Sequence, residues 1–394
     1  MSGALKRDEW ETVRLGDVCE IGDGLHGTPK YDEHGEYYFI NGTNLSNGRI
    51  IFDEKTKRVD ENTYKKYRIE FGNTLLMSIN GTIGNIAYYA DEKIVLGKSA
   101  AYITTKTPNL NLTYLSHYLQ SATAKQYYEN NLTGSTIKNL GLKVLRSFEL
   151  PIPPLDIQRR IAETLDKVTE LIILRKTQLE KLDELVKARF VELFGDPEKN
   201  TFSWKEEELS EHLTVIGGYA FKSEQFSEEG IPVLRIGNIN SGFFKPVNLV
   251  YWEDDDALSR YKMYPGDLVM SLTGTVGKDD YGNVCILGND YDVYYLNQRN
   301  AKLELQDTMN KYYLSMLMKF EPIKKKLTGI SRGVRQANIS NKDILNLSVP
   351  IPPIELQNQF ATFVEQTDKS KVIIQQSLDT LETLKKSLMQ EYFG

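Results

Sequence analysis

Residues 151–158 read PIPPLDIQ, and residues 350–357 read PIPPIELQ. The two boxes start 350 − 151 = 199 positions apart in a chain of 394 residues, so the sequence presents one unit twice. A repeat of this size decides the architecture before any local reading does. After each box the apolar pattern changes to helical spacing. Behind the first, Ile161, Leu165, Val168, Ile172, Leu179, Leu182, Val186, Phe190 and Leu193 recur at steps of three and four, with Arg175 interrupting. Behind the second, Phe360, Val364, Ile374, Leu378, Leu381 and Leu388 form a similar stripe, broken by Thr367 and Lys371. Such heptad-like seams need a partner, and each long helix is the nearest partner for the other. An antiparallel coiled coil within the chain is therefore expected, with a dimerisation stalk or a packed core element as the alternatives. The first helix should cover 156–194, roughly 58 Å at the usual rise.

The copies align outside the boxes as well. Segment 10–16 (WETVRLG) resembles 204–209 (WKEEEL), 71–78 (FGNTLLMS) pairs with 264–271 (YPGDLVMS), and 81–84 (GTIG) pairs with 274–277 (GTVG). Asn139-Leu140 matches Asn338-Ile339, and Leu193-Phe194-Gly195 matches Tyr392-Phe393-Gly394. Short apolar stretches at 37–40, 75–79, 86–89, 233–236 and 268–272 lie between Gly, Asn and Asp punctuation and read as strands. Stretches 114–128 and 311–320 read as helices, with Pro322 breaking the chain after the second. The expected fold class is α+β: two similar domains with curved β-sheets, separated by two long helices, in a pseudo-two-fold internal repeat. The expected divisions are 1–150, the first domain; 151–200, the proline box, long helix and linker; 201–349, the second domain; and 350–394, the second box and helix.

Composition narrows the function class. Hydrophobic residues are 40% and charged residues 26%, ordinary for a globular protein. No apolar run approaches a membrane span, and the start, MSGALKRDEW, lacks the apolar core of a secretory signal, so a cytoplasmic protein is expected. Cys19 and Cys285 form neither a metal-ligand spacing nor a disulfide framework and read as free thiols. A net charge of −6 argues against a protein coated in positive charge, but leaves room for a basic face. Residues 1–150 hold 18 Lys+Arg and 18 Asp+Glu, so the acidic excess lies elsewhere.

The search for catalytic chemistry finds little. In 274–278 (GTVGK) a phosphate loop would need a glycine five residues before Gly277, where Leu272 stands, and a hydroxyl where Asp279 stands. Both GT(I/V)G segments read as turns between strands. His26, His34, His117 and His212 are scattered, and none sits in a metal-ligand motif.

The duplicated, ordered set of motifs resembles the specificity subunit of type I restriction–modification systems, over essentially the whole chain. Besides the paired boxes, the resemblance rests on 23–31 (DGLHGTPKY), on 217–223 (GGYAFKS) and on 230–239 (GIPVLRIGNI). It implies that each globular unit is a target-recognition domain reading one half of a split sequence in double-stranded DNA. It implies that the long helices set the half-site separation, and that the subunit has no catalytic activity. It implies no cofactor in this chain, with S-adenosylmethionine bound by two partner methyltransferase subunits that act on adenine, and motor-nuclease subunits completing the complex. The second helix departs from the pattern, carrying Thr367, Ser370 and Lys371 where a tight seam would be apolar.

Base reading needs polar side chains on loops that reach a groove. In the first domain Lys30, Tyr31, Asn41, Thr43, Asn44, Asn80, Thr82, Lys98, Thr136 and Lys138 fit that description. In the second, Tyr219, Lys222, Arg235, Asn238, Thr273, Lys278, Arg299, Arg332, Arg335 and Gln336 do. Segment 330–336 (ISRGVRQ) is the sharpest candidate, with two arginines for guanine or phosphate and a glutamine for adenine. Asn41, Asn44 and Asn238 serve equally well as shapers of turns. Lys324, Lys325 and Lys326 read as a solvated surface. A coiled-coil scaffold that binds only proteins is the competing function, and an enzyme with a cryptic site is a third.

Overall fold

The computed structural model describes residues 10–69, 72–275, 278, 280–329 and 336–394. The chain divides into two compact units, residues 1–176 with 376–394, and residues 177–375. Each unit therefore contains a part of both long helices.

In the first unit a four-stranded antiparallel sheet runs in the order Cys19–Asp23, Ala100–Thr105, Thr74–Ser78, Ile86–Tyr89. A smaller sheet sets Tyr37–Ile40 between Arg58–Val59 and Ile94–Leu96, the last pair parallel. The second unit repeats this plan. Leu213–Gly217, Asn300–Leu305, Leu268–Ser271 and Val284–Ile286 form the larger sheet. Ile231–Leu234 lies parallel to Tyr294–Leu296 in the smaller one.

Thr74–Ser78 and Leu268–Ser271 are buried along their whole length, because they face two cores at once. Side chains alternate across a strand. Leu75 and Met77 pack into the core shared with the helices, while Leu76 enters a separate core under the small sheet. Leu268 and Met270 divide from Val269 in the same way. Both cysteines are buried and free. Burial pushes each thiol up to about 12, which leaves them protonated and inert.

Two helix expectations need correction. Stretch 114–128 is not one helix but two, Leu112–Leu119 and Ala122–Asn130. Ser121 makes the break, its Oγ accepting the Ala124 N–H at 3.1 Å as an N-cap. In the second unit Lys311–Leu317 is followed by Glu321–Thr328. Pro322 lies in the first turn of the latter, where its missing N–H costs nothing, so it opens a helix rather than ending one.

The proline boxes join sheet to helix. Pro151-Ile152 closes the strand Glu149–Ile152, which pairs with Glu11–Arg14. Pro350 closes Ser348–Pro350, which pairs with Glu206–Glu208. The glutamine ending each box is fully buried. Gln158 Nε2 donates to the carbonyls of Pro153 and Asn109, both at 2.8 Å, and its Oε1 accepts the Asn111 N–H at 2.8 Å. Gln357 repeats the bracket, donating to Pro352 O at 2.8 Å and Thr308 O at 3.2 Å and accepting from Asn310 N–H at 2.8 Å. Asn111 and Asn310 are the N-caps of Leu112–Leu119 and Lys311–Leu317. One amide thus ties the box to the neighbouring helix with both N–H donors and its carbonyl oxygen bonded. Tyr114 and Tyr313 add hydroxyl bonds to Pro151 O at 2.9 Å and Pro350 O at 2.7 Å.

Each long helix runs unbroken for 40 residues, Leu155–Phe194 and Ile354–Phe393. Within each unit their segments pair antiparallel. In the first unit Arg175 Nε donates to Ser377 Oγ at 3.2 Å, and Ile161 and Leu165 share a core with Phe393. In the second, Lys371 pairs with Asp183 at 2.7 Å, and Phe360 packs on Phe190 and Phe194 at 5.4 and 5.7 Å between ring centroids. The polar residues that break the stripe are satisfied locally. Thr367 is buried, but its hydroxyl donates to Phe363 O at 2.9 Å. Among the described residues no helix is long and apolar enough to cross a membrane.

Candidate nucleic-acid interface

The candidate residues of the first unit gather where strands of both sheets end. Tyr37–Ile40 leads into a tight turn in which the Asn41 N–H donates to Asn44 Oδ1 at 3.0 Å. Asn44 Nδ2 reaches Ile51 O at 3.1 Å, and Asn41 Oδ1 accepts from Ser99 Oγ at 3.0 Å. These asparagines spend their side chains shaping the turn, while Thr43 between them is exposed. Ser99 belongs to the turn 97–99, which joins Ile94–Leu96 to Ala100–Thr105 and exposes Lys98. The Ile79 N–H donates to Ser99 O at 2.9 Å, so the next turn lies alongside. There Gly81 has φ +76°, a conformation that favours glycine, and its N–H donates to Lys138 O at 2.9 Å. Asn80 Nδ2 meets Asn139 Oδ1 at 3.3 Å. A run of hydrogen bonds therefore brings Asn41, Thr43, Asn44, Lys98, Asn80 and Lys138 to one edge. Thr82 and Thr136 are exposed on its loops. Lys30 and Tyr31 are not part of this run. Tyr31 bridges to Val59 and sets its ring edge-on to Phe39 at 6.0 Å. Asp60 is held below the usual carboxylate range chiefly by the Thr63 N–H, with Lys30 adding attraction.

The second unit builds the same edge with different side chains. The Arg235 N–H donates to Asn238 Oδ1 at 2.9 Å, the counterpart of the Asn41–Asn44 bond. Asn238 is 1% exposed, and its Nδ2 donates to the carbonyls of Lys245 and Val247 at 3.0 and 2.9 Å, so it shapes the turn from inside. The Arg235 guanidinium donates to Asn248 O. The turn 297–299 joins Tyr294–Leu296 to Asn300–Leu305, and Leu272 N–H donates to Arg299 O at 2.9 Å. Tyr219 is tied to this turn, its N–H donating to Leu296 O at 2.9 Å and its O accepting from Gln298 N–H at 2.9 Å. Lys222 is exposed three residues on, just past Phe221.

Glycines in the opening motifs explain this close approach. A Cβ at Gly24 would lie 2.0 Å from Leu96 O, and one at Gly218 would lie 2.1 Å from Asn297 O. No other residue fits against either turn.

Thr273–Thr275 is a short strand paired with Gln336–Asn338, where a simple turn was expected, and it sets Thr273 opposite Asn338. Thr273 Oγ1 is buried without a hydrogen-bond partner. Lys278 is exposed. Arg332 and Arg335 lie outside the described residues, and of Gln336 only the backbone, at the head of its strand, is described. Lys324 is not solvated as expected. It is 6% exposed and donates to Asn283 Oδ1 at 2.6 Å. Sequence reasoning missed Gln298, although aligning 94–105 on 294–305 would have placed it opposite Lys98.

Among the described residues no group of three or more His, Cys, Asp or Glu side chains could hold a metal. Two buried histidines outside the edge meet carboxylates, His212 with Glu207 and His117 with Asp166, both at 2.8 Å. Burial lowers the His117 pKa and outweighs the pull of Asp166, so a neutral imidazole donates its Nε2–H to the carboxylate.

Comparison with known proteins gives a consistent result. The family model described as "Type I restriction modification DNA specificity domain" matches residues 7–184 and 203–383. The MjaVIII specificity subunit of a type I restriction enzyme from Methanocaldococcus jannaschii is 25% identical, over 99% of this chain and 93% of that relative. The EcoBI specificity subunit of Escherichia coli is 22% identical, over 81% of this chain and 72% of that relative. Among solved structures, the S subunit of a type I restriction–modification system from M. genitalium superposes with a TM-score of 0.61 at 18% identity, covering 100% of this chain and 98% of that one. With a specificity-domain match in each repeat and this shared fold, the chain belongs to the type I restriction–modification DNA-specificity family.

Proposed function

We propose that the chain is the DNA-specificity subunit of a type I restriction–modification complex, each unit reading one half of a bipartite target. The observation that carries this reading is the duplicated edge. Two similar frames hold their turns by equivalent hydrogen bonds and present exposed polar and basic side chains on them. Phosphate contacts from Lys138, Lys222 and Lys278 would fix register, and base contacts would specify. The length of the two 40-residue helices sets the gap between half-sites. Adenine methylation and cleavage are assigned to partners: two methyltransferase subunits that bind S-adenosylmethionine, and motor-nuclease subunits. Exposed Leu171, Ile173 and Leu174 on the first long helix offer apolar surface for such a partner.

The test is selection from pooled DNA with the chain alone and with its methyltransferase partner. The complete complex is expected to enrich two short motifs at a fixed gap, with affinity falling steeply in salt. Inserting four residues after Leu174 is expected to change the gap and leave both motifs intact. A complex that binds partners but enriches no sequence would favour the protein scaffold instead.

A further inference from the structure

We infer that the turn 297–299 discriminates bases in the second half-site, with Arg299 reading a guanine and Gln298 an adenine, and that Lys98 holds the matching place in the first unit. This rests on the specificity reading above and names the residues that make the two halves read differently.

The turns occupy equivalent places. Leu96 and Leu296 precede them, and Ala100 and Asn300 follow. Their backbones are held alike. Lys98 N–H donates to Leu25 O at 3.1 Å and Gln298 N–H to Tyr219 O at 2.9 Å. Ala100 N–H closes on Gly97 O at 3.1 Å and Asn300 N–H on Asn297 O at 2.9 Å. Side chains carried on such anchored backbone are placed before any ligand arrives, as recognition requires.

The side chains differ. Ser99 faces inward, accepting the Gly42 N–H at 2.9 Å and donating to Asn41, which leaves Lys98 as the outward group of its turn. In the second unit Arg299 stands where Ser99 does, and it is exposed. Asn300 takes over the inward tie, its Nδ2 donating to Leu234 O at 2.6 Å. Arg299 is thereby free to point outward, and among the described residues its guanidinium has no bonded partner. Arg235 beside it is already engaged with Asn248.

Arg235, Gln298 and Arg299 line a cavity of about 470 Å³ that Phe221 and Phe226 also wall, and no carboxylate lines it. Two guanidiniums without a counter-acid favour an electron-rich edge, which the O6 and N7 of guanine supply to a planar fork. The neighbouring amide matches the donor and acceptor of adenine.

The experiment maps the motif enriched from pooled DNA by the assembled complex. It compares the wild type with Arg299→Ala, Arg299→Lys, Gln298→Ala and Lys98→Ala. Both Arg299 substitutions are expected to cut discrimination at one position of the second half-site roughly tenfold or more. Gln298→Ala should do so at a neighbouring position, and Lys98→Ala only in the first half-site. If Arg299→Lys keeps the motif while Arg299→Ala weakens all sequences equally with a shallower salt dependence, Arg299 grips phosphate and the assignment falls. A selective wild type whose motif survives every substitution overturns the turn assignment alone. A wild type without sequence preference overturns it together with the specificity reading.

Discussion

The first unit sets a buried imidazole beside a carboxylate and an ammonium where the second has a methionine and a valine, although Asp166 and its counterpart Glu365 are both acidic. His117, Asp166 and the half-buried Lys385 lie together where the helix Leu112–Leu119 meets both long helices. One repeat later the position of His117 is Met316, which lines a cleft of about 1310 Å³ together with Val186 and Tyr281. At the proline boxes the units agree to the level of single hydrogen bonds, as the Gln158 and Gln357 brackets show. Residues that fasten sheet to helix are held constant between the repeats. Residues beside the fastening are free to differ.

Three substitutions would sharpen or break this comparison. The largest effect is expected from Phe360→Ala, which empties an aromatic core that Phe190 and Phe194 complete. It should cost the second unit about 3–5 kcal/mol. Native-state hydrogen exchange would report the loss there and leave residues 10–150 protected as before. Equal loss in both units would mean that they do not unfold separately.

Next come the brackets. Gln357→Ala leaves the Asn310 N–H and the carbonyls of Thr308 and Pro352 without their partner, as Gln158→Ala does for its own set. Each should cost about 2–3 kcal/mol, mainly from unpaired buried groups, and the two costs should match. Exchange at Asn111 and Asn310 measures them directly. A cost in one repeat only would show that the brackets are not equivalent.

The smallest effect concerns pH. Burial holds the His117 pKa below its ordinary 6.5, so on acidification the unfolded chain takes up a proton that the folded chain resists. The stability contribution is complete above about pH 6.5 and is lost as pH falls from there toward the folded-state pKa. His117→Met, copying the second unit, should remove up to about 1.4 kcal/mol per pH unit from the slope in that window. Urea unfolding at pH 7.5 and 5.5, compared between wild type and variant, tests this. Identical slopes would place the acid sensitivity elsewhere.

The sequence discloses the repeat, the long helices and the strands at 37–40, 75–79, 86–89 and 268–272, because hydrophobic spacing is a local signal. The stretch read as a strand over 233–236 instead leaves it at Leu234 and enters the short helix Ile236–Ile239. It misses what depends on distant contacts. Ser121 reads as an interior helix residue until its hydroxyl is seen capping Ala124. The strand Thr273–Thr275 owes its form to Gln336–Asn338, which lies far along the chain. At the candidate edge the residue types were legible but their duties were not. Asn238 and Arg299 look alike as polar loop residues, yet one is sealed inside a turn and the other stands clear. Only the backbone ties separate them.

The buried glutamine at the end of each proline box also has a mechanical meaning. A linker between a reading head and a rod commonly acts as a hinge. Here the amide, two carbonyls and a capped helix start are locked into one joint. The joint has the bonding of a weld: turning the start of the helix against its sheet would break all three hydrogen bonds of one buried amide.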